Sequence, residues 1–262
     1  MSHSVITLLS DLGTRDTSVS VAKAILIRHA PGATIVDISH SVEKYDLQQA
    51  AYLLQAAYSH FVPGSIHIAT VNVFAGDMPR LIVAEKDGYY FIAPDNGILS
   101  LSFGTAPDRT LLCFEFTKPY SFKDWINKAS MAIAAIHDGN TGQFKPCDIK
   151  IVHGLQPQST RLGIDCNIRY IDRYENVVLD ITKTQFEEIA KGRPFTIKII
   201  GMKDITVVGN HYNDVPPGSP LCRFNSAGYL EIALNRASAA ALFGLGQNNS
   251  GGLRYQSIKI FF

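Results

Sequence analysis

The sequence predicts a two-part chain: an α/β N-terminal domain on a mostly parallel sheet, then a smaller C-terminal domain of β-barrel-like character. Three observations carry this. From Val5 to Val73, apolar strand-like runs alternate with helix-period runs, as right-handed crossovers require. A stretch from Asp138 to Cys147 is rich in Gly, Asn, Gln and Pro and has no period. Beyond it the apolar runs become short and are separated by turn residues. We read domains over 1–150 and 165–262, with a linker at 151–164.

Taken in order, residues 4–9 read as a buried strand and 18–30 as a helix. Ala33 to Ile38 is a second buried strand, bounded by Pro31-Gly32. A polar loop, His40 to Asp46, leads to a helix from Leu47 to Phe61 that Asp46 caps and Pro63-Gly64 ends. Ser65 to Val73 is a third strand. Leu81 to Glu85 and Tyr89 to Ile92 flank Asp87-Gly88, a two-residue hairpin signal. Ala93 to Gly97 is a loop, Thr110 to Phe116 a strand, and Lys123 to His137 a helix. In the second part, short strands are expected at Cys166–Asp172, Val177–Ile181, Phe195–Ile200, Ile205–Val208, Leu221–Phe224, Tyr229–Ala233 and Leu253–Phe262. Helical pieces are expected at Lys183–Lys191 and Asn235–Phe243.

Composition narrows the function classes. With 46% hydrophobic residues in 262, the chain can bury a sizeable core. A formal charge of +1 argues against a broad nucleic-acid surface. No apolar run is long enough to span a bilayer, and the N-terminus lacks a signal-peptide pattern. Four scattered cysteines with no CxxC pair suit reduced core thiols, so a cytoplasmic protein is expected. The eight histidines form no HxH or HExxH, and no metal is expected. GxSxG, Walker A and GxGxxG runs are absent, and Ser-His-Asp catalysis has no anchor.

The chemistry concentrates at strand ends. Ser10-Asp11-Leu12-Gly13-Thr14-Arg15-Asp16-Thr17-Ser18 sits where the first strand hands over to the first helix. In parallel sheets that edge is where ligands bind, and a helix N-terminus welcomes an anionic group. The loops at Ser39–Asp46, Val71–Arg80 and Ala93–Gly97 would share that edge, with Tyr45 and Phe74 as ring faces for a flat ligand. Each has a structural alternative: Asp46 as helix cap, Phe74 as core, Asn96-Gly97 as turn chemistry. In the second part, the residues by themselves favour Tyr174-Glu175-Asn176 as a hairpin tip and Asn235 as an N-cap over ligand binding.

The ordered set Ser10-Asp11-Leu12-Gly13-Thr14 with Asp16 and Ser18, Val36-Asp37-Ile38-Ser39-His40, Ala93-Pro94-Asp95-Asn96-Gly97, Tyr174-Glu175-Asn176 and Asn225-Ser226-Ala227-Gly228-Tyr229-Leu230-Glu231-Ile232-Ala233 resembles the S-adenosylmethionine (SAM) hydroxide adenosyltransferases, relatives of the fluorinases and chlorinases. The resemblance implies in-line attack at C5′ of SAM, giving adenosine and methionine without cofactor. It implies a homotrimer with active sites between one subunit's N-domain and its neighbour's C-domain. It also implies roles. Asp11 grips both ribose hydroxyls, Asp16 meets the methionine ammonium, Ser18 meets the carboxylate, and Tyr45 lies beside the ribose. Tyr174 and Tyr212 hold adenine, Asn176 pairs with its edge, and Asn235 and Arg236 contact it from a helix start.

The sequence departs from the family where water is activated. The family's Asp and His correspond to Asn72 and Lys123 here, and Arg80 takes the position of its Arg. An amide cannot accept a proton as a carboxylate does, and a lysine is a base only with a strongly lowered pKa. Asp124 is the neighbouring carboxylate that could orient water instead, and it argues against a halide nucleophile. Two readings follow: a SAM hydrolase with altered water activation or another nucleophile, and a SAM or adenosine binder that has lost the chemistry.

Overall fold

Strands β1 (Val5–Ser10), β3 (Ile66–Thr70) and β5 (Tyr89–Pro94) fill the middle of the N-terminal sheet, which is why their residues are almost all buried. The computed structural model describes residues 4–76, 78–117, 119–141, 147–199, 201–244 and 257–262. They form two compact units, Met1–Gly154 and Leu155–Phe262.

In the first unit the sheet order is β2-β1-β3-β5-β4-β6, with β2 (Thr34–Ser39), β4 (Arg80–Lys86) and β6 (Arg109–Glu115). The four strands β2, β1, β3 and β5 run parallel, while β4 is antiparallel to both its neighbours. The sheet is mostly parallel, as expected, with five of its six strands in one direction, and it is mixed because β4 alone is reversed. The cause is the Asp87-Gly88 hairpin, whose two residues both take positive φ, 52° and 79°. Helices α1 (Ser18–His29) and α4 (Phe122–His137) cover one face through Ala22, Leu26, Trp125 and Ile133. Helices α2 (Leu47–Ala57) and α3 (Ile98–Phe103) cover the other through Ala50, Leu54, Ile98 and Leu99. The short α3 was not expected. The helix expected to reach Phe61 ends at Ala57 and continues as a 3₁₀ turn, Tyr58–His60.

The stretch 151–164 is not a free linker. Lys150 N–H donates to Asp95 Oδ1 at 2.7 Å and Val152 N–H to Ser100 Oγ at 2.9 Å, so its start is strapped to the first unit. Its later part belongs to the second unit, where β7 (Gln158–Thr160) pairs with β8 (Gly163–Ile171). Side chains thus satisfy backbone groups that a linker would leave to water.

The second unit is a curled antiparallel sheet, a half-barrel, ordered β10-β13-β8-β9-β12-β11 with β7 beside β8. Its remaining strands are β9 (Val177–Thr182), β10 (Thr196–Ile197), β11 (Pro220–Phe224), β12 (Tyr229–Leu234) and β13 (Ser257–Phe261). Helix α5 (Lys183–Ala190) and helix α6 (Ala239–Leu242) pack on one core that includes Ile164, Leu179, Ile197 and Ile232. Among the described residues of the strand expected at Phe195–Ile200, two form β10, and Ile205 and Val208 make single bridges; Ile200 lies outside the described residues. The helix expected from Asn235 begins at Ala239, because Ser238 supplies the cap by accepting Ala241 N–H at 2.9 Å. Residues 142–146 of the aperiodic stretch and 253–256 of the last expected strand lie outside the described residues. Among the described residues no helix is long and apolar enough to cross a membrane.

Candidate active site

Asp11 follows directly on β1, where the parallel strands end. Its Oδ2 accepts two backbone N–H groups, from Tyr45 at 3.0 Å and from Asn72 at 3.3 Å. Both donors are non-glycine residues in the left-handed region, at φ 66° and 50°. Such a conformation costs about 1–2 kcal/mol for an L residue, more readily borne by Asn than by Tyr. Strain of this kind collects at functional sites. Loops after β1, β2 and β3 therefore converge on one carboxylate. The Tyr45 side chain is exposed beside it.

The remainder of the first loop leads into α1. Asp16 is exposed, and its Oδ1 accepts Ser18 N–H at 2.9 Å. The backbone and side-chain hydrogen bonds from Ser18 hold the Asp16 carboxyl below its usual range. No side chain of Thr17 caps the helix. Asp16, Ser18 and the start of α1 thus present a carboxylate, a hydroxyl and a helix N-terminus together, a combination suited to a zwitterionic amino-acid group.

Asn72 and Arg80 lie at the two ends of the 71–80 loop, and Lys123 and Asp124 lie on the first turn of α4. The buried Asn96 side chain donates from Nδ2 to Val71 O at 2.9 Å and to Asn72 O at 3.2 Å, fixing the turn. Phe74 stacks on Tyr120, with ring centroids 5.1 Å apart, just before the start of α4. It is half-exposed and belongs to neither main core. Arg80 opens β4. Its Nη2 contacts Asp95 Oδ2 and donates to Asp148 O at 3.0 Å. Burial opposes the guanidinium charge, but the hydrogen bond and charge of Asp95 outweigh it, so the pKa rises further. Lys123 is exposed on the first turn of α4. Asp124 forms a capping box with Ser121: its Oδ2 accepts Ser121 N–H at 2.8 Å and Ser121 Oγ–H at 2.7 Å, and both bonds hold its pKa down. Asp46 caps α2, accepting Gln48 and Gln49 N–H at 3.0 and 3.1 Å.

In the second unit the expected adenine residues share one end of the sheet. Antiparallel pairing sets Val177, at the start of β9, opposite Ile232 near the end of β12. The Tyr174-Glu175-Asn176 turn before β9 and Asn235-Arg236 after β12 are therefore neighbours, and Ala240 N–H donates to Glu175 O at 2.9 Å. Tyr174 is 80% exposed, while Asn176 is buried with its Nδ2 on Asp172 Oδ2 at 2.9 Å. Asn235 is buried and donates from Nδ2 to Val215 O at 2.7 Å; it caps no helix. Arg236 is exposed at φ 58°. The Tyr212 hydroxyl donates to Glu231 Oε1 at 2.6 Å beneath the Arg223 guanidinium. Burial, then the Glu231 bond, pushes its pKa up to about 12.

From the sequence, Asn96 is read as turn chemistry, and Asp95 and the His40 side chain have no role of their own. Asp95 and Asn96 sit in a loop that follows a buried strand, and that position was the available signal. Among the described residues, no three His, Cys, Asp or Glu side chains gather as a metal site.

The model of the SAM hydroxide adenosyltransferase N-terminal domain matches residues 6–141, and that of the C-terminal domain matches residues 166–250. An (R)-S-adenosyl-L-methionine hydrolase from Thermus thermophilus is 28% identical over 90% of this chain and 94% of its own length. A fluorinase from an Actinoplanes species is 23% identical over 92% of this chain and 94% of its own. The crystal structure of an uncharacterized conserved protein from Thermotoga maritima has the same fold, with a TM-score of 0.77 at 21% identity over 98% of this chain and 100% of that one. With family models covering both units, the chain belongs to the SAM hydroxide adenosyltransferase family.

Proposed function

We propose that the chain cleaves SAM at C5′ with water, yielding adenosine and L-methionine. The observation that carries this is the Asp11 carboxylate, held through one oxygen by the Tyr45 and Asn72 amides and followed by Asp16 and Ser18 at the start of α1. A carboxylate on paired ribose hydroxyls and a polar helix start on the methionine group would fix both sides of the C5′–S bond. Water oxygen attacks C5′, the C5′–S pair leaves with sulfur, and one proton is lost to solvent. The sulfonium becomes a neutral thioether, so the leaving group supplies the driving force and no cofactor takes part. The nucleophile would stand by the loop between Asn72 and Arg80, with Lys123 as the third residue that the family pattern assigns to it.

Adenine would be held by Tyr174, Asn176, Tyr212, Asn235 and Arg236 of a neighbouring copy in a homotrimer, in a cytoplasmic setting. Light scattering tests the assembly; a monomer at assay concentration refutes it.

A second reading, a SAM or adenosine binder without turnover, is favoured by one observation. The Arg80 guanidinium is tied to Asp95 and to Asp148 O, and Asn72 offers an amide where the family pattern has an acid. Incubation of the purified protein with SAM, followed by chromatography for adenosine and methionine, separates the two. Turnover above that of Asp11→Ala supports the hydrolase; binding with no such turnover leaves the binder.

A further inference from the structure

Ser10, His40, Asp37 and Lys23 form one continuous polar chain beneath the Asp11 loop. The Ser10 hydroxyl oxygen lies 2.6 Å from His40 Nδ1. His40 Nε2 lies 3.0 Å from Asp37 Oδ1, an ion-pair distance rather than an aligned hydrogen bond. Asp37 Oδ2 accepts from Lys23 Nζ at 2.6 Å. The arrangement has the residue types of a Ser-His-Asp triad, which the sequence alone did not show. Ser10, however, is 1% exposed, so its oxygen cannot meet a substrate carbon.

Its position suggests a different task. Ser10 immediately precedes Asp11 in the chain. Leu12 N–H donates to Ser10 Oγ at 3.4 Å, and Gly13 N–H donates to His40 O at 2.8 Å. Residues 10, 12 and 13 are therefore each tied to this chain, and Asp11 stands among them. The fit depends on a register shift: Leu8 pairs with Asp37 but Leu9 with Ser39, so one extra residue in β2 brings His40 level with the end of β1. The tautomer with its proton on Nε2 fits this arrangement: Ser10 O–H donates to Nδ1, and the Nε2 proton lies on the side of Asp37. Lys23 then joins the chain to α1, the helix that begins at Ser18. The ribose side and the methionine side of the loop are coupled through four side chains from three elements.

We infer that His40, through Ser10, is a positioning residue that sets the Asp11 carboxylate for the substrate ribose. This rests on the proposed function, since it takes Asp11 as the ribose ligand. Adenosine affinity by calorimetry and SAM turnover are measured for the unaltered protein, His40→Ala, Asp11→Ala and the double variant. The expected result for His40→Ala is a rise of about tenfold in KM and in adenosine Kd, with kcat within about threefold. In the Asp11→Ala background the same change should have no further effect, because two residues acting through one contact are not additive. A rise that persists undiminished in that background, or no rise in His40→Ala, overturns the inference and leaves the functional reading standing. Absence of adenosine and SAM binding by the unaltered protein overturns both. Where His40→Ala does not fold, the half-exposed Asp37→Ala serves: a raised KM with unchanged kcat supports positioning, and unchanged constants refute it.

Discussion

The backbone N–H of Tyr45 donates to Asp11 Oδ2 at 3.0 Å, and Tyr45 makes that bond from a left-handed backbone at φ 66°. An aromatic residue there costs the fold about 1 kcal/mol or more relative to glycine. Tyr45→Gly keeps the N–H and relieves the strain but removes the exposed ring. The expected outcome is an unfolding temperature that does not fall, offset only by glycine's looser unfolded state, together with adenosine affinity weakened about tenfold. A lower unfolding temperature with unaltered affinity would assign Tyr45 to the fold alone.

Asp11 and Asp16 serve different parts of one substrate in the proposed function. Asp11→Ala is expected to weaken adenosine and SAM alike. Asp16→Ala is expected to weaken SAM about tenfold and spare adenosine, which has no ammonium to meet it. Calorimetry with both ligands gives four numbers; equal losses for the two ligands in Asp16→Ala would contradict the assignment.

His67 of β3 is buried against Tyr58, Phe61, Tyr89 and Phe91 and lies 2.8 Å from Thr7 Oγ1. Burial lowers its pKa from 6.5 to about 4. The native state thus keeps it neutral while the unfolded chain takes up a proton below pH 6.5. Its stability contribution is present above that pH and is lost as pH falls towards 4. The slope is about 1.4 kcal/mol per pH unit, or roughly 3 kcal/mol across the window. Thermal unfolding from pH 7 to pH 4 should show a smaller loss in His67→Gln than in the unaltered protein; parallel curves would remove His67 from the acid response.

Gly97 precedes α3 at φ 96°, and a Cβ there would lie 2.3 Å from Val152 Cγ2 and 2.8 Å from Val152 Cβ. Gly97→Ala carries both a backbone penalty and a clash, and should cost about 2–4 kcal/mol in denaturant unfolding. The pair Gly97→Ala with Val152→Ala should recover only the part of the clash that comes from Cγ2, because the Cβ contact at 2.8 Å and the φ penalty both stay. No recovery in the pair would show that the Cγ2 contact contributes nothing.

The strand alternation, the Asp87-Gly88 hairpin and the caps at Asp46 were legible because each rests on neighbours in sequence. The direction of β4 followed from that same hairpin, but its effect on the sheet was not drawn out, since a hairpin does not say which strand it pairs with next. Helix α3 was missed because six residues give too little period to detect. At the candidate site, the place of Asp11, Asp16 and Ser18 between a buried strand and a helix was readable. The convergence of Tyr45 and Asn72 on one oxygen was not, since it joins residues 34 and 61 positions from Asp11. The Arg80–Asp95 pair and the Ser10–His40 contact were hidden for the same reason: long-range pairing leaves no local pattern.

Because β4 runs against β3, the segment from Val71 to Pro79 leaves the sheet and re-enters it at one edge. Both its feet are fixed there, by Asn96 at the first and by the Arg80–Asp95 pair at the second. Residues can be gained or lost between those anchors without moving any strand register. Under the proposed function, the part of the nucleophile site that Asn72 supplies therefore lies in a module of adjustable length, and it can change while the strands that carry Asp11 stay in register.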